Sequence, residues 1–418
     1  MHLLLFILYA FLLGWILLRR PFFKDLRPGL LIAFFLLKVG VGCLHNLLAY
    51  KYYPQHGDIW RFFQDSFTTR HGLSMGLSWF WARNSYLIHP VYWPHNIIEW
   101  MHILFNFLSF DNLYINTLFF SFLTIGGNVA LFRVFYEKFG RDALCGLCVL
   151  LLPSVLFWTS CIHTEGIIYA MLGWLFYGLH RALSKGWTAR LIIQPLLLTG
   201  LIIVLRPAFA IGLLPALLIW LGGEMHMRRI TFFVGLGAFI LLIVGLNRYR
   251  PDVLNSIPRT LSVRQQEYQH LEGNSRIPLP VLEPSWNSLR NILPDALFNG
   301  FFQPLPGTGG QKIYRAFSLE LMVIGLIIGF SFVIFVVNGI RGHQPYHSFH
   351  YPRFFAAACL VLAFLGILLI GCIIPFVGAI VRYRSIFLPL LLPPYLGTLH
   401  DYPVYKRLNN RLIRHIFK

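Results

Sequence analysis

The sequence predicts an all-α, polytopic transmembrane bundle of about 11 spans, and three observations predict it. Apolar residues make up 57% of the chain and charged residues only 12%, with a mean hydropathy of +0.63. The apolar residues come in repeated runs of about 20, the length that crosses a hydrocarbon core of about 30 Å. Most lysines and arginines fall in the short gaps between those runs. A soluble fold is excluded at this composition. The formal charge of +19 would suggest nucleic acid in a soluble protein. In a membrane chain it points to anionic lipid headgroups and phosphate-bearing substrates, and no basic module with stacking aromatics argues for nucleic acid.

The runs place spans near 3–18, 28–49, 112–133, 143–161, 165–183, 190–205, 207–222, 230–247, 317–338, 354–374 and 385–400, in one integral membrane domain over 1–418. The first lacks a basic leader and a small-residue cleavage site, so it reads as a retained span. Short connections carry Arg19, Arg20, Lys24, Arg27, Arg133, Lys138, Arg141, Arg181, Lys185, Arg190, Arg228, Arg229, Arg341 and Arg353, and the tail adds five more cations. The positive-inside rule makes these cytoplasmic, with the N-terminus outside and the C-terminus inside. Two long hydrophilic segments, 50–111 and 248–316, then share the outer face, which in a bacterial inner (plasma) membrane is periplasmic. The stretch Ile97–Phe110 within the first is short for a span and reads as an interfacial or re-entrant helix. No inverted repeat is evident, which argues against a secondary transporter.

Three constellations on that face carry chemistry. Asp58 follows Gly57 in His56-Gly57-Asp58-Ile59-Trp60-Arg61, and Asp58, Arg61 and Asp65 share one face if the segment is helical. An acid just outside the bilayer is a candidate general base, with ordinary surface ion pairing as the alternative, especially for Asp65. The second is the run from Pro153 to Gly166, which holds His163 and Glu165 at or within the membrane surface. An ionisable group there belongs to a polar cavity by default, and Thr164 capping the next helix with Glu165 in its first turn is compatible with that. The third is arginine at outer helix ends, Arg206 before Pro207 and the Arg382-Tyr383-Arg384 triplet. Planar guanidiniums suit phosphate oxygens, and snorkelling to headgroups is the plainer use. The Cys145/Cys148 pair lies in an apolar run and reads as helix packing. His56, His89 and His95 are too scattered to hold zinc, so no metal ligand is assigned.

Taken in order, Gly57-Asp58, the Phe139-Gly140-Arg141 turn leading to Pro153 through Glu165, Leu205-Arg206-Pro207 and Arg382-Tyr383-Arg384 resemble the GT-C superfamily of polytopic membrane glycosyltransferases. The likeness to the protein O-mannosyltransferase type is distant, since Ile59 follows the first acid. The resemblance implies transfer of a sugar from a polyprenyl-phosphate-linked donor to a lipid, glycan or protein acceptor. In that reading Asp58 and Glu165 are catalytic, Arg206, Arg382 and Arg384 hold the lipid phosphate, and His56, Arg61, Asp65, His163 and Tyr383 support them. Some relatives use a divalent metal; no Asp-X-Asp stands in the outer loops here, so no cofactor is assigned and a divalent ion stays open. A polysaccharide polymerase using polyprenyl-pyrophosphate-linked glycans, a flippase of lipid-linked glycans and a non-catalytic assembly subunit are the competing readings.

Overall fold

The computed structural model describes residues 1–52, 57–76, 93–225, 251–273, 275–307, 312–340, 351–400 and 402–417. The described residues are helical, with isolated bridges as the only β pairing among them. In order come α1 (His2–Arg19), α2 (Pro28–Tyr52), α3 (Gly57–Ser74), α4 (Trp93–Ser109), α5 (Leu113–Lys138), α6 (Ala143–Leu151), α7 (Pro153–Ser160), α8 (Thr164–Lys185) and α9 (Ala189–Leu205). Then follow α10 (Phe209–Glu224), α11 (Pro251–Gln269), α12 (Trp286–Phe302), α13 (Lys312–Ile340), α14 (Arg353–Ile373), α15 (Val377–Arg384), α16 (Leu388–Leu396) and α17 (Pro403–Ile416).

Five described helices are long and apolar enough to cross a membrane: α1, α2, α5, α14 and the Ile313–Ile334 part of α13. The run 143–161, expected as one span, is instead two helices bent by 48°. Pro153 has no N–H to continue the ladder and its ring forces Leu152 into an extended conformation, ψ 128°. The bent pair counts as a sixth span if it is taken as one. The runs 190–205 and 207–222 form α9 and α10, of 17 and 16 residues. The run 385–400 becomes α16 and a following short 3-10 turn. The stretch expected as an interfacial or re-entrant helix is helical, within α4, and the run 230–247 lies outside the described residues.

The chain divides into two compact units. The first comprises Met1–Glu137, Arg141–Pro207 and His400–Lys418, and the second Lys138–Gly140 and Ala208–Leu399. In the first, α2 packs on α7, α3 on α4, and α8 on α9, while α17 returns to α6. In the second, α14 is the hub against which α10, α11, α12 and α16 pack.

Close crossings in the first unit depend on small residues, as expected where apolar side chains gain nothing by leaving lipid. A Cβ on Gly127 of α5 would strike the Ala170 carbonyl of α8, and one on Gly173 would strike the Gly127 carbonyl. Gly42 of α2 stands equally close to the Ser160 carbonyl, which brings α2 against the end of α7. On the other side of α2, Gly40 meets nothing within 4 Å. Gly127→Leu or Gly173→Leu is therefore expected to cost about 1–3 kcal/mol, read as a lower unfolding temperature in detergent. Gly40→Ala should be neutral or stabilising by about 0.4–1 kcal/mol. Equal unfolding temperatures for Gly127→Leu and the native chain would refute the crossing.

Candidate functional site

The first unit contains a polar core assembled from four directions. On α2, buried residues recur as Leu31, Phe34/Phe35, Lys38/Val39, Gly42, His45/Asn46 and Ala49, a stripe at helical spacing. Three of them, Lys38, His45 and Asn46, are polar and almost wholly enclosed. Averaged over its length, the run 28–49 is apolar, and that average conceals all three. A signal was available, since all three fall on the stripe that also carries the packing residues.

Each of these groups has found a bond, as low-dielectric burial demands. Lys38 Nζ donates to the Thr159 carbonyl at 2.7 Å, at the last turn of α7. His45 Nδ1 lies 3.1 Å from the Phe157 carbonyl, and Asn46 Nδ2 donates to Thr117 Oγ1 at 2.8 Å. With its amide oxygen turned toward Lys38, Asn128 accepts from Nζ at 3.3 Å and donates to the Thr124 carbonyl at 3.1 Å. A second branch runs outward through α4. Asn116 Nδ2 donates to Asn106 Oδ1 at 2.6 Å, and Asn106 Nδ2 donates to Ser66 Oγ at 2.9 Å. Thr69 donates to the buried carboxyl of Glu99, which burial raises above the usual carboxylate range. Within this network His102 Nε2, Asn46 Oδ1, Asn116 Oδ1 and Ser160 Oγ have no hydrogen-bond partner among the described residues.

The α7–α8 corner closes the core. Glu165 is 1% exposed in the first turn of α8, and Arg206 Nη2 donates to its Oε1 at 2.5 Å. Arg206 ends α9, where Pro207 stops the helix, and its side chain keeps 31% exposure. Two residues singled out in separate constellations thus form one ion pair. His163, rather than Thr164, occupies the cap position of α8, and it makes no side-chain cap bond.

Asp58 lies in the first turn of α3, and Arg61 follows one turn later with Nη2 at 3.6 Å from Asp58 Oδ1. Both side chains are around half exposed, so this is a loose surface pair rather than a closed one. Ile59, next in the chain, is buried against Phe63, Leu113 and Cys161, which seats the head of α3 on the α7–α8 corner. Trp60 Nε1 donates to the Asn46 carbonyl at 3.0 Å. Asp65 is half-buried further along the same helix, and His56 lies outside the described residues.

The remaining arginines belong to the second unit. Both fall on α15, where residues two apart point about 200° from each other. Arg384 is 1% exposed and donates to the Gly300 carbonyl at 2.6 Å. Arg382 is half-buried, stacks on Tyr383 and donates to its hydroxyl at 2.6 Å, and that hydroxyl is 3.0 Å from Tyr268 Oη. The helix therefore separates two guanidiniums that the sequence reading treated as a pair.

Compared with protein-family models, curated proteins and solved structures, the chain has no match in any of the three.

Arg206→Met would leave the Glu165 carboxylate buried without its cation, an uncompensated charge expected to cost about 3 kcal/mol. Glu165→Gln together with Arg206→Met should recover most of that loss. A thermal-unfolding cycle over the three variants measures the coupling, and purely additive effects would contradict the pair.

Proposed function

We propose that the chain is an integral membrane glycosyltransferase that moves a sugar from a polyprenyl-phosphate-linked donor to an acceptor hydroxyl. The observation that carries this reading is the seating of Asp58's helix, through Ile59, on the corner that holds the Glu165–Arg206 pair. A solvent-accessible carboxylate beside a buried polar core is what an acceptor-activating base requires. In the proposed step the acceptor oxygen attacks the anomeric carbon and gives its proton to Asp58. The bond from that carbon to the phosphate oxygen breaks with inversion, and the electron pair leaves on the polyprenyl phosphate. In this reading Arg206 meets that developing charge, and its bond to Glu165 holds the guanidinium in position. Arg384, closed off and bonded to the Gly300 carbonyl, takes no part in this step.

The full topology of eleven spans, with the N-terminus outside, the C-terminus cytoplasmic and the site on the periplasmic face, belongs to the same proposal. Its support is the gathering of basic connections at one end of the first unit. Arg27 N–H donates to the Ile416 carbonyl at 2.9 Å, Arg133 pairs with Asp25, and Asn409 Oδ1 accepts from Ala143 N–H at 2.7 Å. The excess of Lys and Arg there supports a cytoplasmic side in this reading.

The test uses the purified full-length chain in micelles with a panel of polyprenyl-phosphate hexoses and detection of released polyprenyl phosphate. Asp58→Asn should lower turnover by about 10²–10⁴-fold while leaving the unfolding temperature near that of the native chain. Unchanged turnover in that variant removes Asp58 as the base. A native chain that carries the lipid-linked sugar across vesicle bilayers without cleaving it is a transporter instead.

A further inference from the structure

The polar core contains a set of side chains that the transfer chemistry leaves unused. His45 comes from α2, while Cys161 and His163 form the connection between α7 and α8. One donor atom from each, an imidazole nitrogen of either histidine and the Cys161 sulfur, lie within 4.8 Å of one another. All three residues are buried. His45 Nδ1 is 3.5 Å from Cys161 Sγ. A zinc ion holds nitrogen at about 2.0–2.1 Å and sulfur at about 2.3 Å, which at the tetrahedral angle puts the two about 3.5 Å apart. The Phe157 carbonyl oxygen lies 3.1 Å from that nitrogen and 3.7 Å from the sulfur, and an ion would replace the hydrogen bonds this oxygen accepts from both.

We propose that His45, Cys161 and His163 bind a thiolate-tolerant divalent transition ion of the zinc kind. The donor set is right for it, since a thiolate and two imidazoles select borderline and soft ions over magnesium or calcium. The sites for those ions are built from oxygens. The rings are also held in place. His45 stacks on Phe157 at 4.1 Å between centroids and meets Trp158 edge-on at 4.8 Å, and His163 packs against the same indole. On binding, the ion takes the sulfur's lone pair as the thiol proton leaves to solvent. No electron changes hands.

The site is independent of the transferase reading, and a failure of the Asp58 test leaves it standing. It is tested on the full-length chain without a histidine tag, stripped with a chelator in micelles and titrated with Co²⁺. One cobalt per chain is expected, with thiolate-to-cobalt absorption in the near ultraviolet that one equivalent of Zn²⁺ abolishes. Cys161→Ser should lose that band at least tenfold, and His45→Gln or His163→Gln should weaken binding. Absence of the band in the native chain, or its survival in Cys161→Ser, overturns the proposal. Should the variants fail to fold, the native chain still decides. Zn²⁺ should raise its unfolding temperature and a chelator should reverse the rise, whereas no shift overturns the site.

Discussion

The hydrogen bond from Lys38 to the Thr159 carbonyl is the constraint on which the first unit is arranged. An ammonium inside a segment long and apolar enough to span a membrane is costly unless it is fully solvated by protein. Here the acceptor comes from the last turn of α7, whose final carbonyls are left over where the helix stops. The bond therefore demands that α2 lie against α7, and Gly42, close against the Ser160 carbonyl, permits the approach. Once the two helices are docked, the residues after Thr159 are fixed as well. Cys161, His163 and Glu165 owe their positions to a contact that involves none of them.

Enclosed cations are handled in two ways. Lys38 is enclosed by carbonyl and amide oxygens of its own unit, and Arg206 is half-open and tied to a carboxylate. Arg384 resembles Lys38, since it is closed off and bonded to a backbone carbonyl. Of these three, the half-open arrangement alone leaves part of its side chain exposed. Exposure thus separates arginines that hold the fold from those available for chemistry, a distinction that charge alone does not make.

How much of this was legible in the residues follows from what each signal averages over. Membrane character survives averaging, because hydropathy over a window of about 20 residues is its definition. Lys38, His45 and Asn46 vanish in the same average, since their neighbours outweigh them. They become visible only when the window is replaced by a helical face. The break before Pro153 was written in the sequence, yet the apolar run through it suggested continuity. The Glu165–Arg206 pair was half legible: each residue stood out as a costly charge, but their union spans 41 positions and is set by tertiary packing. Arg382 and Arg384 look like a clamp in a linear reading, and the helical period pulls them apart.

The corner between α7 and α8 has a last consequence. A straight helix carries its partial charges only at its ends, near the two membrane surfaces. Breaking the path places a carbonyl-rich, partly negative terminus and an amide-rich, partly positive one next to each other within the protein. Lys38 meets the negative end of α7, and Glu165 sits at the positive end of α8. The corner is in effect an electrostatic junction, where backbone dipoles assign one side chain to each sign.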